Sequence, residues 1–142
     1  MRVRDAVEAD AAALAAIADA PADAMRRVIH DRTVRVAESD ATATDPNEDA
    51  GDAEAELLGF VSFDARAETV HVTQFDGTRD ACERLVSEPL RFAANEGMAV
   101  ELLVVDGQRA VRDAVTDAGF ERVGSGPRFD GSPTTRYRME SP

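Results

Sequence analysis

Lysine is missing from this chain: all 16 basic residues are arginine. Tryptophan is missing too, and Cys82, Tyr137 and the pair His30 and His71 are the only residues of their kinds. Each shortage removes a chemistry. One cysteine excludes an intrachain disulfide, and one cysteine with two histidines at no ligand spacing argues against a structural zinc site. Cys82 reads as a small apolar residue on a helix face rather than as a reactive thiol. A glycine-rich phosphate loop of the Walker type needs a lysine that this chain cannot supply. Gly124-Ser125-Gly126 falls short of a nucleophile elbow, with no histidine or acid in the usual order. No apolar run approaches the roughly 20 residues that cross a bilayer as a helix. The opening MRVRDAVEAD has no apolar stretch of the signal-peptide kind, so a cytoplasmic protein without a membrane partner is expected.

What the chain has in excess is acid. Asp and Glu number 28 against 16 arginines, a formal net charge of −12. Phosphate-backbone binding needs clustered cations, so nucleic acid is not expected as a partner. The bias toward Arg, Ala, Asp and Val has a genomic reading and a halophilic one, and the two combine. At about 1 M salt the Debye length is only about 3 Å, so a crowded carboxylate surface stops repelling itself. With 142 residues and 44% hydrophobic content the chain fits a single domain, residues 1–142. A domain of that size buries about two-thirds of its unfolded surface and needs neither disulfide nor metal to fold.

Periodicity gives the order of elements. Strands are predicted at Arg2–Arg4, Thr33–Ala37, Leu57–Asp64, Glu68–Phe75, Ala99–Val105, Glu121–Val123 and Thr134–Met139. Helices are predicted at Glu8–Ala20, ended by Pro21, and at Asp23–His30, Arg79–Glu96 and Gln108–Ala118, with Pro89 kinking the third and Gly97 ending it. The apolar run AVELLVV reads as a central strand covered on both faces. The acidic stretch ESDATATDPNEDAGDAEAE, residues 38–56, reads as a mobile loop. The result is a mixed α/β sheet of order β-α-α-β-β-β-α-β-α-β-β with helices on both faces: an antiparallel meander followed by a right-handed parallel β-α-β unit.

One segment carries chemistry. From Thr69 to Gly97 an alternating strand runs into an Asp-Gly-Thr turn and then a helix, an arrangement that can hold a phosphate on helix N-terminal amides. A plain Asp-Gly turn that starts a helix is the competing reading.

Four stretches in this order resemble the GNAT superfamily of acyl-CoA-dependent N-acetyltransferases: VRDAVEADAAALAAIADAP with its Arg-x-Ala-x-x-x-Asp start, LLGFVSFD, the strand-turn-helix around Gly77, and AVRDAVTDAGFERVG. The likeness spans nearly the whole chain. It implies transfer of an acyl group from acetyl-CoA to a small-molecule or peptide amine. It also implies a GNAT-like strand at Val72 that diverges from its neighbour, with Gln74, Phe75, Asp76, Gly77, Thr78 and Arg79 over the family's diphosphate motif. Arg79 stands where the motif has a small residue, and it either blocks the diphosphate or supplies charge to it. Glu68 and His71 are the candidate general bases. Val115 occupies the position of the family's proton-donating tyrosine, which leaves Tyr137 as the candidate acid. No metal is implied, and homodimerisation stays open. An inactive GNAT-fold ligand-binding or protein-interaction module is the alternative.

Overall fold

The computed structural model describes residues 1–39, 56–129 and 131–142. Residues 40–55 of the expected acidic loop lie outside this description. The flanks of that segment are tied together: Ser39 N–H donates to the Glu56 carbonyl at 2.8 Å, and Glu56 N–H to the Ser39 hydroxyl at 3.0 Å.

Among the described residues the strands are β1 (Arg2–Asp5), β2 (Thr33–Glu38), β3 (Leu57–Arg66), β4 (Thr69–Gly77), β5 (Ala99–Val105), β6 (Glu121–Ser125) and β7 (Thr134–Met139). They form one sheet in the order β1-β2-β3-β4-β5-β7-β6, antiparallel except for the β4–β5 pair. The helices are α1 (Ala11–Ala18), α2 (Ala22–Asp31), α3 (Arg79–Leu85), α4 (Ser87–Glu96) and α5 (Arg109–Asp117). The mixed sheet with helices on both faces is as the sequence indicated.

Several boundaries moved, each for a local reason. The first helix opens as a 3-10 turn, Glu8–Asp10. Arg4 explains why: its guanidinium grips both oxygens of Asp10 (2.8 and 3.0 Å), and Asp10 Oδ2 also accepts the Val7 N–H at 2.8 Å. The Arg-x-Ala-x-x-x-Asp motif is therefore a clasp between β1 and the first helical turn. It holds Asp10 below the usual carboxylate range. The helix then stops at Asp19, whose φ of 52° is left-handed, before Pro21 is reached. The expected kinked helix 79–96 is two helices, because Pro89 has no N–H to give the Leu85 carbonyl. The chain breaks at Val86, and Pro89 falls in the first turn of α4, where a missing donor costs little. The β3–β4 hairpin closes through Ala67 and Glu68, both left-handed at φ 52° and 63°. That is the torsion pattern of a tight two-residue turn without its usual Asn or Gly.

Two apolar clusters flank the sheet. Leu14 and Met25 from α1 and α2 pack with Val34, Val36 and Phe60 on one face. On the other, Cys82, Leu85, Ala93, Val111 and Val115 of α3, α4 and α5 cover Val61, Phe63, Val70, Phe75, Val100 and Leu102. β5 corrects the expectation of a doubly covered strand. Val100, Leu102 and Val104 are buried, whereas Leu103 on the opposite face is 40% exposed. Among the described residues Leu103 meets the loop of residues 126–129 on that face, and this thinly covered area borders the site.

Candidate active site

β4 and β5 pair only over Thr69–Val72 and Ala99–Leu102. Beyond Val72 and Leu102 the strands part, although both continue: β4 to Gly77 and β5 to Val105. The cause is a bulge. Ser62 of β3 lies opposite Gln74 and Phe63 opposite Val72, so Thr73 is an extra residue with no counterpart. A bulge bends its strand and breaks the alternation of side chains. Thr73 is pinned there: its hydroxyl lies 2.7 Å from the Ser62 hydroxyl and donates to the Ser62 carbonyl at 3.2 Å. After the bulge Phe75 enters the core below, while Gln74 and Asp76 lie opposite Ser62 and Phe60 on the upper face.

Gln108, just before α5, spans the wide end of the seam. Its amide donates to the Phe75 carbonyl at 3.2 Å and accepts from Val105 N–H at 3.2 Å. One side chain thus satisfies a backbone group on each parted strand and sets how far they stand apart. Nothing in the sequence pattern singled out Gln108, since its partners are distant in the chain.

Between the seam and Gln108 opens a cleft of about 500 Å³. Its floor is Val72–Asp76 with Leu103 and Val105; Ala18–Ala20 close one side, and Pro127, Arg128 and Phe129 the other. Gln74 Oε1 is buried here with no hydrogen-bond partner among the described residues. A buried acceptor left unmet costs about 1–3 kcal/mol, so it marks a place for a donor from outside the chain. A second groove of about 280 Å³ lies alongside, lined by Arg66, His71, Thr73, Glu101 and Arg136. The two share Val72, Thr73 and Leu103 and so meet where the strands diverge.

The turn at the head of β4 is more fully committed than its sequence suggests. Gly77 has φ +144°, and a Cβ there would stand 2.5 Å from Gly59 Cα and 2.6 Å from the Leu58 carbonyl. Its glycine is needed to let β3 and β4 approach. Its N–H is taken by its neighbour, Asp76 Oδ1, at 2.8 Å. Thr78 N–H donates to the Leu58 carbonyl at 2.9 Å, and the Thr78 hydroxyl caps α3 by accepting from Ala81 N–H at 3.2 Å. Of the first-turn amides, those of Arg79 and Asp80 have no acceptor among the described residues. The Gly77 amide is therefore not free for a phosphate, although the residue lies over the diphosphate motif. Burial pushes the Asp76 carboxyl above its ordinary value, and the Gly77 bond opposes that shift. Arg79 does not plug the cleft; it pairs with Glu83 at 3.4 Å on the exposed side of α3.

The candidate bases and acid separate clearly. His71 is half-buried on the upper face and lines the smaller groove, one residue before the last β4–β5 pair. Glu68 is exposed in the β3–β4 turn and lines neither cavity. Tyr137 lies opposite Leu102 and is buried in the core under the sheet, away from both cavities. Val115 is fully buried and apolar. Cys82 is buried as well, with its thiol pushed up to about 12 by desolvation, which makes it inert at neutral pH. Among the described residues no group of His, Cys, Asp or Glu is placed to hold a metal ion, and no helix is long and apolar enough to cross a membrane.

Solved structures with this architecture are known. The chain resembles ribosomal-protein-alanine N-acetyltransferase from Brucella melitensis at a TM-score of 0.72 and 16% identity, over 99% of each chain. It resembles an acetyltransferase of the GNAT family from Streptococcus pneumoniae at 0.67 and 15% identity, again over 99% of each. The NAA60 protein of Arabidopsis thaliana, in complex with a bisubstrate analogue, matches at 0.72 and 13% identity, over 99% of this chain and 97% of that one. No family model and no curated protein matches the sequence. At these identities the likeness establishes the fold: this is the GNAT fold.

Proposed function

We propose that this GNAT-fold chain is an acyltransferase that takes an acetyl group from acetyl-CoA and passes it to a primary amine. The observation that carries the reading is the seam that opens past Val72 and Leu102 into the larger cleft. A pantetheine arm is a narrow chain with two amides, and a strand edge with free backbone groups suits it. The unmet Gln74 Oε1 offers one further acceptor for an amide N–H. At the diphosphate end the amides of Arg79 and Asp80 remain to donate. Asp76 opposes them, because a carboxylate at the mouth of the cleft repels phosphate.

The thioester then lies where the cleft and groove meet, beside Thr73. The amine nitrogen attacks the thioester carbonyl, the C–N bond forms and the C–S bond breaks. His71 takes the proton that leaves the amine, directly or through a water. The departing thiolate takes its proton from solvent, because the buried Val115 cannot donate one and Tyr137 faces the core. Backbone N–H groups of β4 polarise the carbonyl, and holding two substrates in contact supplies much of the rate gain. The same reading places the protein in the cytoplasm, where acetyl-CoA is available.

The test is thermal unfolding with and without acetyl-CoA in molar potassium chloride, followed by release of free thiol in the presence of amines. A ligand at a hundredfold excess over its Kd stabilises the folded form by about 2.7 kcal/mol. A rise in melting temperature with acetyl-CoA and amine-dependent thiol release are expected. An unchanged melting temperature at saturating acetyl-CoA overturns the reading and leaves an inert GNAT-fold module.

A further inference from the structure

The two cavities differ in charge. The larger cleft is lined by Asp19 and Asp76 against one arginine, Arg128. The smaller groove reverses the balance, with Arg66 and Arg136 against one acid, Glu101. Such a reversal runs against a composition of 28 acids to 16 bases. Glu101 neutralises only part of it. Its oxygens pair with Arg136 Nε at 3.3 Å and with Arg138 at 2.9 Å, and Arg138 is also held by Glu140 at 2.6 Å, so these two acids balance those two arginines and Arg66 is left as the groove's uncompensated cation. Arg66 has no ion pair among the described residues, although Asp64, on the same face, pairs with Arg32 at 3.3 Å. Even residues of β3 share that face, so Arg66 stands at one end of the groove on β3, with Arg136 beyond β5 on β7. His71 and Thr73 lie on β4 between them.

We propose that this groove binds an acceptor carrying a carboxylate as well as its amine: a free amino acid, held through its carboxylate by Arg66 and Arg136. This rests on the acyltransferase reading and names its acceptor. A guanidinium binds a carboxylate through paired N–H donors, and both arginines are exposed at the rim of the groove, where they can turn toward one. The acceptor amine then lies over His71 and Thr73, next to the shared mouth of the two cavities. About 280 Å³ suits a molecule of amino-acid size rather than a folded partner. The surface as a whole is acidic, so selection for an anionic group has to come from local arginines.

The experiment pairs amines that differ only by the carboxylate: L-lysine with cadaverine, L-arginine with agmatine, and L-glutamate with 4-aminobutyrate as a pair differing in carboxylate number. Binding of each is followed by saturation-transfer NMR without acetyl-CoA, and turnover by thiol release with it. The carboxylated member of the first two pairs is expected to be preferred by roughly tenfold or more in kcat/KM. Arg66→Ala should collapse that ratio toward unity through KM, and Arg66→Lys should restore part of it. Arg136→Ala gives an independent second variant. Equal use of both members, or a preference that survives in both variants, overturns the proposal while leaving the transferase intact. Arginine-dependent binding of amino acids without thiol release supports the groove assignment and instead defeats the transferase reading. No binding of any probe, with or without acetyl-CoA, overturns the proposal.

Discussion

The carboxylate of Asp76 stands at the head of the cleft with its Oδ1 on the Gly77 N–H, and burial holds its pKa above the ordinary value. Two consequences follow from one side chain. A group whose folded pKa exceeds its unfolded pKa favours the folded state when protonated, and that contribution is lost as pH rises through the folded pKa. Once the pH exceeds the unfolded carboxylate value, Asp76 is therefore a cost to folding. Asp76→Asn keeps an acceptor for Gly77 N–H and removes the charge. It should raise the melting temperature at pH 7, with a gain that shrinks as pH falls and is gone below the unfolded carboxylate value of about 3.9. The same variant should bind acetyl-CoA more tightly, because the charge opposing the diphosphate is removed. Melting curves from pH 3 to 8 and calorimetric titration of acetyl-CoA check both. Gly77 is no substitute as a probe. A Cβ at 2.5 Å from Gly59 Cα would damage the β3–β4 pairing before any ligand was considered.

At the scale of elements, the divergence of β4 from β5 depends on two devices, the Thr73 bulge and the Gln108 bridge. Replacing Gln108 with Ala leaves the Phe75 carbonyl and the Val105 N–H without their partner. Each unmet backbone group costs about 1–3 kcal/mol where water cannot reach it. Some water will enter so open a cleft, so a loss of roughly 2 kcal/mol is expected for Gln108→Ala. Urea unfolding measures that loss, and acetyl-CoA affinity should fall with it because the strands are no longer held at one spacing. An unchanged midpoint would mean that the bridge is incidental.

These devices also mark the limit of what the chain reveals on its face. The order of elements was legible because it rests on local periodicity, and the mixed sheet follows from it. His71 on the face opposite Val70 and Val72 was legible for the same reason: alternation alone sets it. The bulge was not, because alternation cannot register a single residue inserted opposite another strand. Gln108 was not, because its role exists only after two distant strands part. The place of Tyr137, the candidate acid, in the core was not legible, since which face of a late strand meets the helices is a tertiary outcome. The break at Val86 was nearly legible. Pro89 was seen, but its effect falls four residues upstream, on the carbonyl it cannot serve.

For the whole molecule the deciding quantity is charge. A formal −12 on a 142-residue chain repels itself in dilute buffer. Salt weakens that repulsion and also weakens attraction, so the two must be weighed. The exposed pairs, such as Arg26 with Asp23 and Arg79 with Glu83, are each worth about 0–1 kcal/mol, and screening them loses little. The better shielded Arg4–Asp10 clasp is less sensitive to salt. Repulsion therefore dominates, and the melting temperature should rise from 50 mM to 2 M potassium chloride. A gain of a few kcal/mol corresponds to roughly 10 °C for a domain of this size. Chloride is the right anion for the test, because sulfate would strengthen burial of any protein. A flat response between those salt concentrations would reduce the acidic composition to genomic bias, and the assays for acetyl-CoA and amino acids could then be run in dilute buffer.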